Sequence, residues 1–384
     1  MKTVRRLFYA DILTAVLFVG LAFLSLFYFI DFVDELGDVG KNGYTFALAA
    51  LYTLLLLPAH LYEVTPIAVL IGTIYALSRM AQSSEYTILR TGGLGPGRAL
   101  SLLATLGLAF GLLTYVVGDY VAPFSESQAT HLKASVKGGL RLGKSGAWLK
   151  DHATTPDGER SYSINVGSAG SRGLLHDIRI FEFDPDGRLL RRIAAADAQV
   201  ERNSTWRLSK VSITHWVAGA DEGASSASGP ERPKAHVAAE APEEKLATYD
   251  WHSTLSAAVV AAAVLPVGNM STVELFRYIG HLASNEQAAA SYQIQFWKRA
   301  LYPFACLVMV GLALPFAYLH ARAGGVSLKV FGGIMLGISF VLLNNVAGHL
   351  GLLRNWTPWI VAATPSALYL LLSMAAFSWL VRYR

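Results

Sequence analysis

Residues 12–30 read ILTAVLFVGLAFLSLFYFI, nineteen positions without a charge. A helix needs roughly 20 apolar residues to cross a hydrocarbon core about 30 Å thick, so this stretch is long enough to span a membrane. Lys2, Arg5 and Arg6 precede it, but no small-residue cleavage site follows, and it reads as a retained first span rather than a signal peptide. The same search finds Ala99–Gly118, Ala300–Leu319, Val330–Leu353 and Asn355–Val381. A sixth gap, Asn42–Ser78, is interrupted by Glu63, Pro58 and Pro66, and its first part, Tyr44–Leu57, is too short to span alone. Each proline removes a backbone donor and bends the axis. The stretch is therefore expected to be one long kinked helix whose N-terminal piece lies obliquely near the interface.

Composition agrees. Of 384 residues 53% are hydrophobic and 15% charged, against about 25% charged in soluble domains, and the mean hydropathy is +0.39. Between Phe124 and Leu255 lie 17 basic and 17 acidic residues, leaving 15 of the 32 basic and 10 of the 27 acidic residues elsewhere. The net charge of +5 thus belongs to the apolar parts. A soluble enzyme, a disordered chain and a basic nucleic-acid module are excluded, the last because its charge would sit on the exposed domain. The single cysteine, Cys306, can make neither an intramolecular disulfide nor a multi-thiolate metal site.

A seventh gap, Trp251–Val273, has an apolar kernel of only 13 residues, Leu255–Val267, containing Pro266. Orientation decides against it. With six spans, Lys2, Arg5, Arg6, Arg79, Arg90, Arg98, Arg322, Lys329, Arg382 and Arg384 all share the inner side, as the positive-inside rule requires. A seventh span would move the last four outside. The segment after span one, with Asp31, Asp34, Glu35, Asp38 and Lys41, is net acidic and suits the outer side. The insert between spans three and four is thereby exported.

That insert, 139–267, reads as all-β, a sandwich or jelly roll. Tyr162, Ile164 and Val166 alternate with polar neighbours, as do Trp206 and Leu208, and Asp184-Pro185-Asp186-Gly187 forms a turn between Ile178–Phe183 and Leu189–Ile193. Ala218–Glu244 is expected to be a flexible loop, and Ser271–Ser284 an amphipathic helix opened by a Ser271/Glu274 capping box.

Gly138-Gly139-Leu140-Arg141-Leu142-Gly143-Lys144-Ser145 matches the phosphate-loop pattern by letter, yet a polar helical stretch precedes it and a strand-like Gly146-Ala147-Trp148-Leu149 follows, the reverse of the required strand and helix. It is read as a chance match. The histidines show no pair at metal-ligand spacing, and no G-x-S-x-G or His-Glu-x-x-His appears, so no catalytic constellation emerges. Asp31, Glu63 and Asp119 fall near the outer interface, where they would meet water or headgroups. Lys298 and Arg299, at the outer start of span four, either snorkel to headgroups or contact an anionic substrate.

The inner connection Arg79–Arg98 carries the clearest functional signal. Ala81–Arg90 is helix-compatible, capped at Ser83 or Ser84, and stops at Thr91-Gly92-Gly93. Tyr86 and Leu89 share a face with Arg90 beside them, a pattern suited to docking in a partner's groove or, more simply, to an interfacial elbow.

Taken in order, Phe32-Val33-Asp34-Glu35-Leu36, Gly43-Tyr44-Thr45, Pro58, Tyr62-Glu63, Pro66, Leu70-Ile71-Gly72, Ser84-Glu85, Arg90, Gly92 and Gly118-Asp119-Tyr120-Val121-Ala122-Pro123 resemble the permeases of the lipopolysaccharide exporter, the LptF/LptG family. Gly146–Leu149, Trp206-Arg207-Leu208, Leu275–Ile279, Tyr292, Phe296-Trp297-Lys298 and Pro303 continue it, closer to the LptG than the LptF branch. The resemblance implies an α-helical membrane protein with six transmembrane helices and a periplasmic all-β jelly roll inserted between helices 3 and 4. Residues 1–123 would hold spans one to three with a coupling helix at 81–92, and 271–384 the amphipathic helix and spans four to six.

It further implies a non-catalytic inner-membrane subunit, with cytoplasmic termini, that pairs with an LptF-like permease on a dimeric cytosolic ABC ATPase. ATP and magnesium would be bound by that partner, and no cofactor by this chain. Lipopolysaccharide would leave the membrane through a lateral opening lined by span one and pass to an LptC-like periplasmic jelly-roll protein. Ser84, Glu85, Tyr86, Leu89 and Arg90 would couple to the ATPase, with Glu85 in its groove. Phe23, Phe27, Asp31, Lys41, Lys298 and Arg299 would lie along the substrate path. Other members carry basic residues near the outer end of span one, where this chain has Asp31, Gly37 and Asp38. Lys41, Arg277, Lys298, Arg299 or the second subunit would then supply the charge. A membrane-anchored periplasmic adaptor without transport activity is the second hypothesis.

Overall fold

The computed structural model describes residues 2–41, 43–93, 95–137, 140–141, 146–155, 158–169, 174–201, 205–216, 243–255, 259–260, 270–284, 289–318 and 325–382. The chain divides into two compact units, one of residues 1–132, 267–279 and 288–384, the other of 133–266 and 280–287.

Among the described residues of the first unit, six helices are long and apolar enough to cross a membrane. The first, α1 (Lys2–Leu36), extends the uncharged run by more than a turn at each end. Next comes α2 (Phe46–Gln82), which starts where the Thr45 hydroxyl accepts the Leu48 amide at 3.4 Å and runs unbroken through Pro58 and Pro66. Thr53 and Thr65 return their hydroxyls to the Ala49 and Leu61 carbonyls in the same helix. A short α3 (Glu85–Thr91) precedes α4 (Pro96–Val116). The third span does not end at Gly118: a π-helical turn, Val117–Val121, leads straight into α5 (Ala122–Lys137). After the β insert come α6 (Thr272–Ser284), α7 (Ala290–Tyr318), α8 (Val326–Leu353) and α9 (Pro358–Arg382).

Close helix contacts rest on small residues, as expected where apolar lipid removes the hydrophobic drive and packing must do the work. A Cβ on Gly72 of α2 would lie 2.6 Å from the Val16 backbone of α1, and one on Gly111 of α4 would lie 2.8 Å from the Pro303 carbonyl oxygen of α7. Around these contacts Phe8, Ile12, Leu70, Ile74, Leu77, Leu103, Met309 and Leu314 form one buried cluster.

In the second unit, β1 (Leu140–Arg141), β2 (Ala147–Thr155), β3 (Gly158–Ala169), β4 (Leu174–Phe183), β5 (Leu189–Val200), β6 (Thr205–His215) and β7 (Glu244–His252) make one antiparallel sheet. From β2 onward each strand pairs with the next in sequence, while β1 pairs with the far end of β3. The register aligns Leu149, Ile164, Ile180, Ile193 and Ile213 across five strands, all buried, which is the period-two alternation realised as one apolar row. Tyr162 on β3 and Trp251 on β7 lie four strands apart in the sheet, yet their ring centroids are 5.5 Å apart. The sheet therefore curls until its two ends share a core with Trp206. The buried Asp151 carboxylate on β2 reinforces the closure, accepting from the Ser253 hydroxyl at 2.6 Å and the Thr254 amide at 2.9 Å. The Asp184–Gly187 turn forms as expected, with Gly187 at φ +78° and Asp184 Oδ1 accepting the Arg188 amide.

The expected loop at 218–244 lies outside the described residues except for its last two, and Glu244 begins β7. Most of the phosphate-loop match also lies outside them; its Leu140 and Arg141 are strand β1.

Candidate functional site

The connection between α2 and α4 breaks at Ser84, whose φ of +62° puts it in the left-handed region. Ser83 and Ser84 do not cap α3 with their hydroxyls: Ser84 makes no side-chain cap bond, and Ser83 returns its hydroxyl to α2. Ala81 and Gln82 belong to α2, so the short helix begins at Glu85. Its faces also differ from the expectation. Tyr86 is buried, stacks edge-on with Tyr318 at 5.3 Å, and burial together with Tyr318 raises its pKa. Leu89 packs on the same cluster, and the Arg90 guanidinium lies 5.7 Å above the Tyr318 ring. Three of the five expected coupling residues thus hold α3 onto its own subunit. Glu85, Thr87 and Ile88 are exposed, the last at 67%, and so are Arg90 and Thr91. Ile88 was missed because seven residues make barely two turns and give no periodicity to separate faces.

Along α1, Phe23, Phe27 and Asp31 fall at four-residue spacing on one face, all partly buried. Phe27 stacks on the His60 ring at 4.7 Å, and His60 Nε2 lies 2.6 Å from Asp31 Oδ2. Asp31 thus meets a histidine of α2 rather than open water, a pairing that 29 residues of separation hid from the sequence reading. Lys41 is 3.2 Å from Asp38 on the exposed turn after α1.

Asp119 is buried in the π-turn, not set at a wet interface, and its Oδ1 accepts the Thr272 amide at 2.6 Å at the start of α6. There the Ser271/Glu274 capping box forms as expected, the carboxylate accepting the Ser271 amide at 2.8 Å. The preceding Gly118 is required by Tyr62, whose ring would lie 2.3 Å from a Cβ.

Tyr62 leads to the last group. Arg299 does not snorkel: it is 7% exposed, with its guanidinium 5.6 Å from the Tyr62 ring centroid. Lys298 donates to the Asn344 carbonyl at 2.9 Å, and the Tyr302 hydroxyl donates to the Glu63 carbonyl at 2.6 Å. These residues line a polar cavity of about 250 Å³ between α2, α7 and α8. Among the described residues no group of three or more His, Cys, Asp or Glu could hold a metal.

Six helices long and apolar enough to cross a membrane, with a short helix between the second and third and an antiparallel β insert between the third and fourth, define a multi-pass membrane protein. The chain belongs to the family described as lipopolysaccharide export system permease LptF/LptG, whose profile matches residues 6–381. It is 29% identical over 367 residues to the lipopolysaccharide export system permease protein LptG of Escherichia coli K12, covering 94% of each chain. It is 24% identical over 374 residues to the LptG of Haemophilus influenzae strain Rd, covering 97% of each.

Proposed function

We propose that this chain is the LptG-type half of an ATP-driven exporter that lifts lipopolysaccharide out of the inner membrane. It pairs with an LptF-like permease, both ride on a dimeric cytosolic ABC ATPase that binds ATP and magnesium, and an LptC-like jelly-roll protein receives the lipid. The match across residues 6–381 carries this reading. The structure contributes surfaces suited to each step. The exposed Glu85 and Ile88 of α3 offer a carboxylate beside an apolar knob, the chemistry of a helix seated in a groove. The face of α1 bearing Phe23, Phe27 and Asp31 supplies a path for acyl chains beside a polar head, with Lys41, Lys298 and Arg299 as its cations. Charge asymmetry supports a cytoplasmic side for both termini and α3 and a periplasmic side for the sheet. The comparisons lend no support to a transport-free adaptor.

The test is copurification followed by reconstitution. The tagged chain should bring down a nucleotide-binding subunit and a second six-span protein, and the assembly in proteoliposomes should release lipopolysaccharide to a periplasmic acceptor only with ATP. An assembly that hydrolyses ATP yet never moves lipopolysaccharide would sink the reading.

A further inference from the structure

The short helix α3 is fastened to the bundle in three unequal ways. Its start follows α2 directly, through Ser83 and the left-handed Ser84. Its end reaches α4 through Gly92, Gly93 and Gly95, with Gly93 at φ +100°, and through an exposed hydrogen bond from Arg98 to the Gly93 carbonyl at 3.0 Å. Glycine samples the widest range of backbone conformations, so this joint bends easily and transmits little torque. The third attachment is made by side chains, and it goes to α7. Tyr318, in the last turn of α7 and 5% exposed, meets the Tyr86 ring edge-on at 5.3 Å and lies under the Arg90 guanidinium at 5.7 Å. Edge-to-face rings and a cation over a ring face are contacts that depend on orientation. They fix the direction of α3 as well as its burial.

What α7 receives at Tyr318 it can pass on. It is the most enclosed of the six spans, with 50% of its apolar window buried, and it packs on α2, α4, α8 and α9. Against α4 the fit leaves no slack: a Cβ on Gly107 would lie 3.1 Å from the Leu307 Cα. Close-packed interiors are hardly compressible and transmit displacement. Pro315 lacks an amide for the preceding turn, which makes the end of α7 a place where bending is easy. On either side of it Leu314, Ala317 and Tyr318 belong to the buried cluster shared with α1, α2 and α4. At its other end α7 carries Lys298 and Arg299 in the cavity wall, with the Glu126 carboxylate of α5 close enough to feel the Arg299 charge.

We propose that Tyr318 is a positioning residue that makes α7 the helix through which α3 acts. Gripping Tyr86 and Arg90, it converts a tilt of α3 into movement of α7, and α4 follows by packing on α7 rather than through the glycine joint. The inference rests on the exporter reading, in which α3 seats on the ATPase.

The experiment uses the full exporter assembly in proteoliposomes and reads three quantities: ATPase copurification, ATP hydrolysis, and lipopolysaccharide released per ATP. Tyr318→Ala removes the ring, and Tyr318→Leu removes it while keeping apolar volume in the cluster, which guards against a folding defect in the alanine variant. Both should keep copurification, because Glu85 and Ile88 remain exposed. Both should lower lipid released per ATP at least about fivefold, the lower end of ordinary coupling between sites. Tyr318→Phe, which retains the ring, should match the parent. A residue that only fills space would instead lower assembly, hydrolysis and release together, and that outcome in the alanine and leucine variants would overturn the proposal. So would an unchanged release per ATP in either of them once assembled, or a Tyr318→Phe assembly as uncoupled as Tyr318→Leu, since the effect would then lie in the hydroxyl. The parent assembly separates this inference from the reading beneath it: hydrolysis without release in the parent fails the exporter reading before any variant is compared.

Discussion

Tyr86 and Ile88 sit two residues apart on α3 and face opposite ways, and that difference separates structural from functional substitutions. Removing the buried Tyr86 ring leaves a cavity under α3, so Tyr86→Ala should cost about 3 kcal/mol and loosen the helix, seen as faster amide exchange over 85–91. Ile88→Asp, already exposed, should leave melting unchanged while abolishing ATPase copurification. Glu85 lies between these cases. A carboxylate in the first turn of a helix is worth only about 0.3–1 kcal/mol locally, whereas truncating one desolvated in a partner's groove costs on the order of 2–5 kcal/mol of association. Glu85→Ala should therefore keep the fold and weaken copurification; normal copurification with normal export would reduce it to a helix-terminal carboxylate. The existence of α3 was legible from the Thr91-Gly92-Gly93 stop, whereas the serines expected to cap it do not. Its facing was not, because Tyr318, which captures Tyr86 and Arg90, lies more than two hundred residues away. A further residue-scale effect belongs to His281, whose pKa is lowered by burial against the opposing pull of Asp151 and the Lys150 backbone. The unfolded chain takes up the proton more readily, so stability from this group is present above about pH 6.5 and lost as pH falls below it. Trp206 and Trp251 fluorescence should report melting that falls on acidification in the parent and less so in His281→Gln.

At the level of elements, the π-turn at Val117–Val121 turns Asp119 inward and lets its carboxylate hold the first free amide of α6. A helix N-terminus has unsatisfied donors, and a charged acceptor there is worth about 1.5–3 kcal/mol. Asp119→Ala should accordingly fray α6, with Thr272 exchanging its amide faster and the melting point dropping, while Asp119→Asn should retain part of the contact. Hydropathy located the third span because apolar length is additive along the chain. It gave no sign of the π-turn, since the extra residue changes the hydrogen-bond ladder and not the composition. The same contrast holds in the sheet. Alternation at Tyr162, Ile164 and Val166 marked a strand, but the curl that brings Tyr162 to Trp251 depends on twist accumulated over five strands, which no single strand records. For Arg299, composition placed a cation near the end of a span; only the packing of α2 and α8 shows it enclosed.

For the whole molecule the deciding quantity is the side on which each segment lies. Ten basic residues cluster at one end of the six spans, and the C-terminal end of α1 with the turn after it carries four acidic residues against Lys41. Lysine and arginine near span ends resist translocation, whereas acidic residues exert little pull, so the bias predicts that the N-terminus and α3 are cytoplasmic. With an odd number of spans before the insert, the sheet is then expected on the opposite side. The one native cysteine, Cys306, is buried, so single cysteines introduced elsewhere can be labelled against a quiet background. Lys150 on β2 and Ile88 on α3 are both exposed within their own units. With a membrane-impermeant maleimide, Lys150→Cys should label in cells whose outer membrane alone is permeabilised, and Ile88→Cys only after the inner membrane is opened. The reverse pattern would invert the topology and with it remove α3 from reach of any cytosolic ATPase. Labelling of both in unopened cells would instead mean that the segment between α3 and the sheet contains an even number of crossings, contradicting the continuous third span formed by α4, the π-turn and α5.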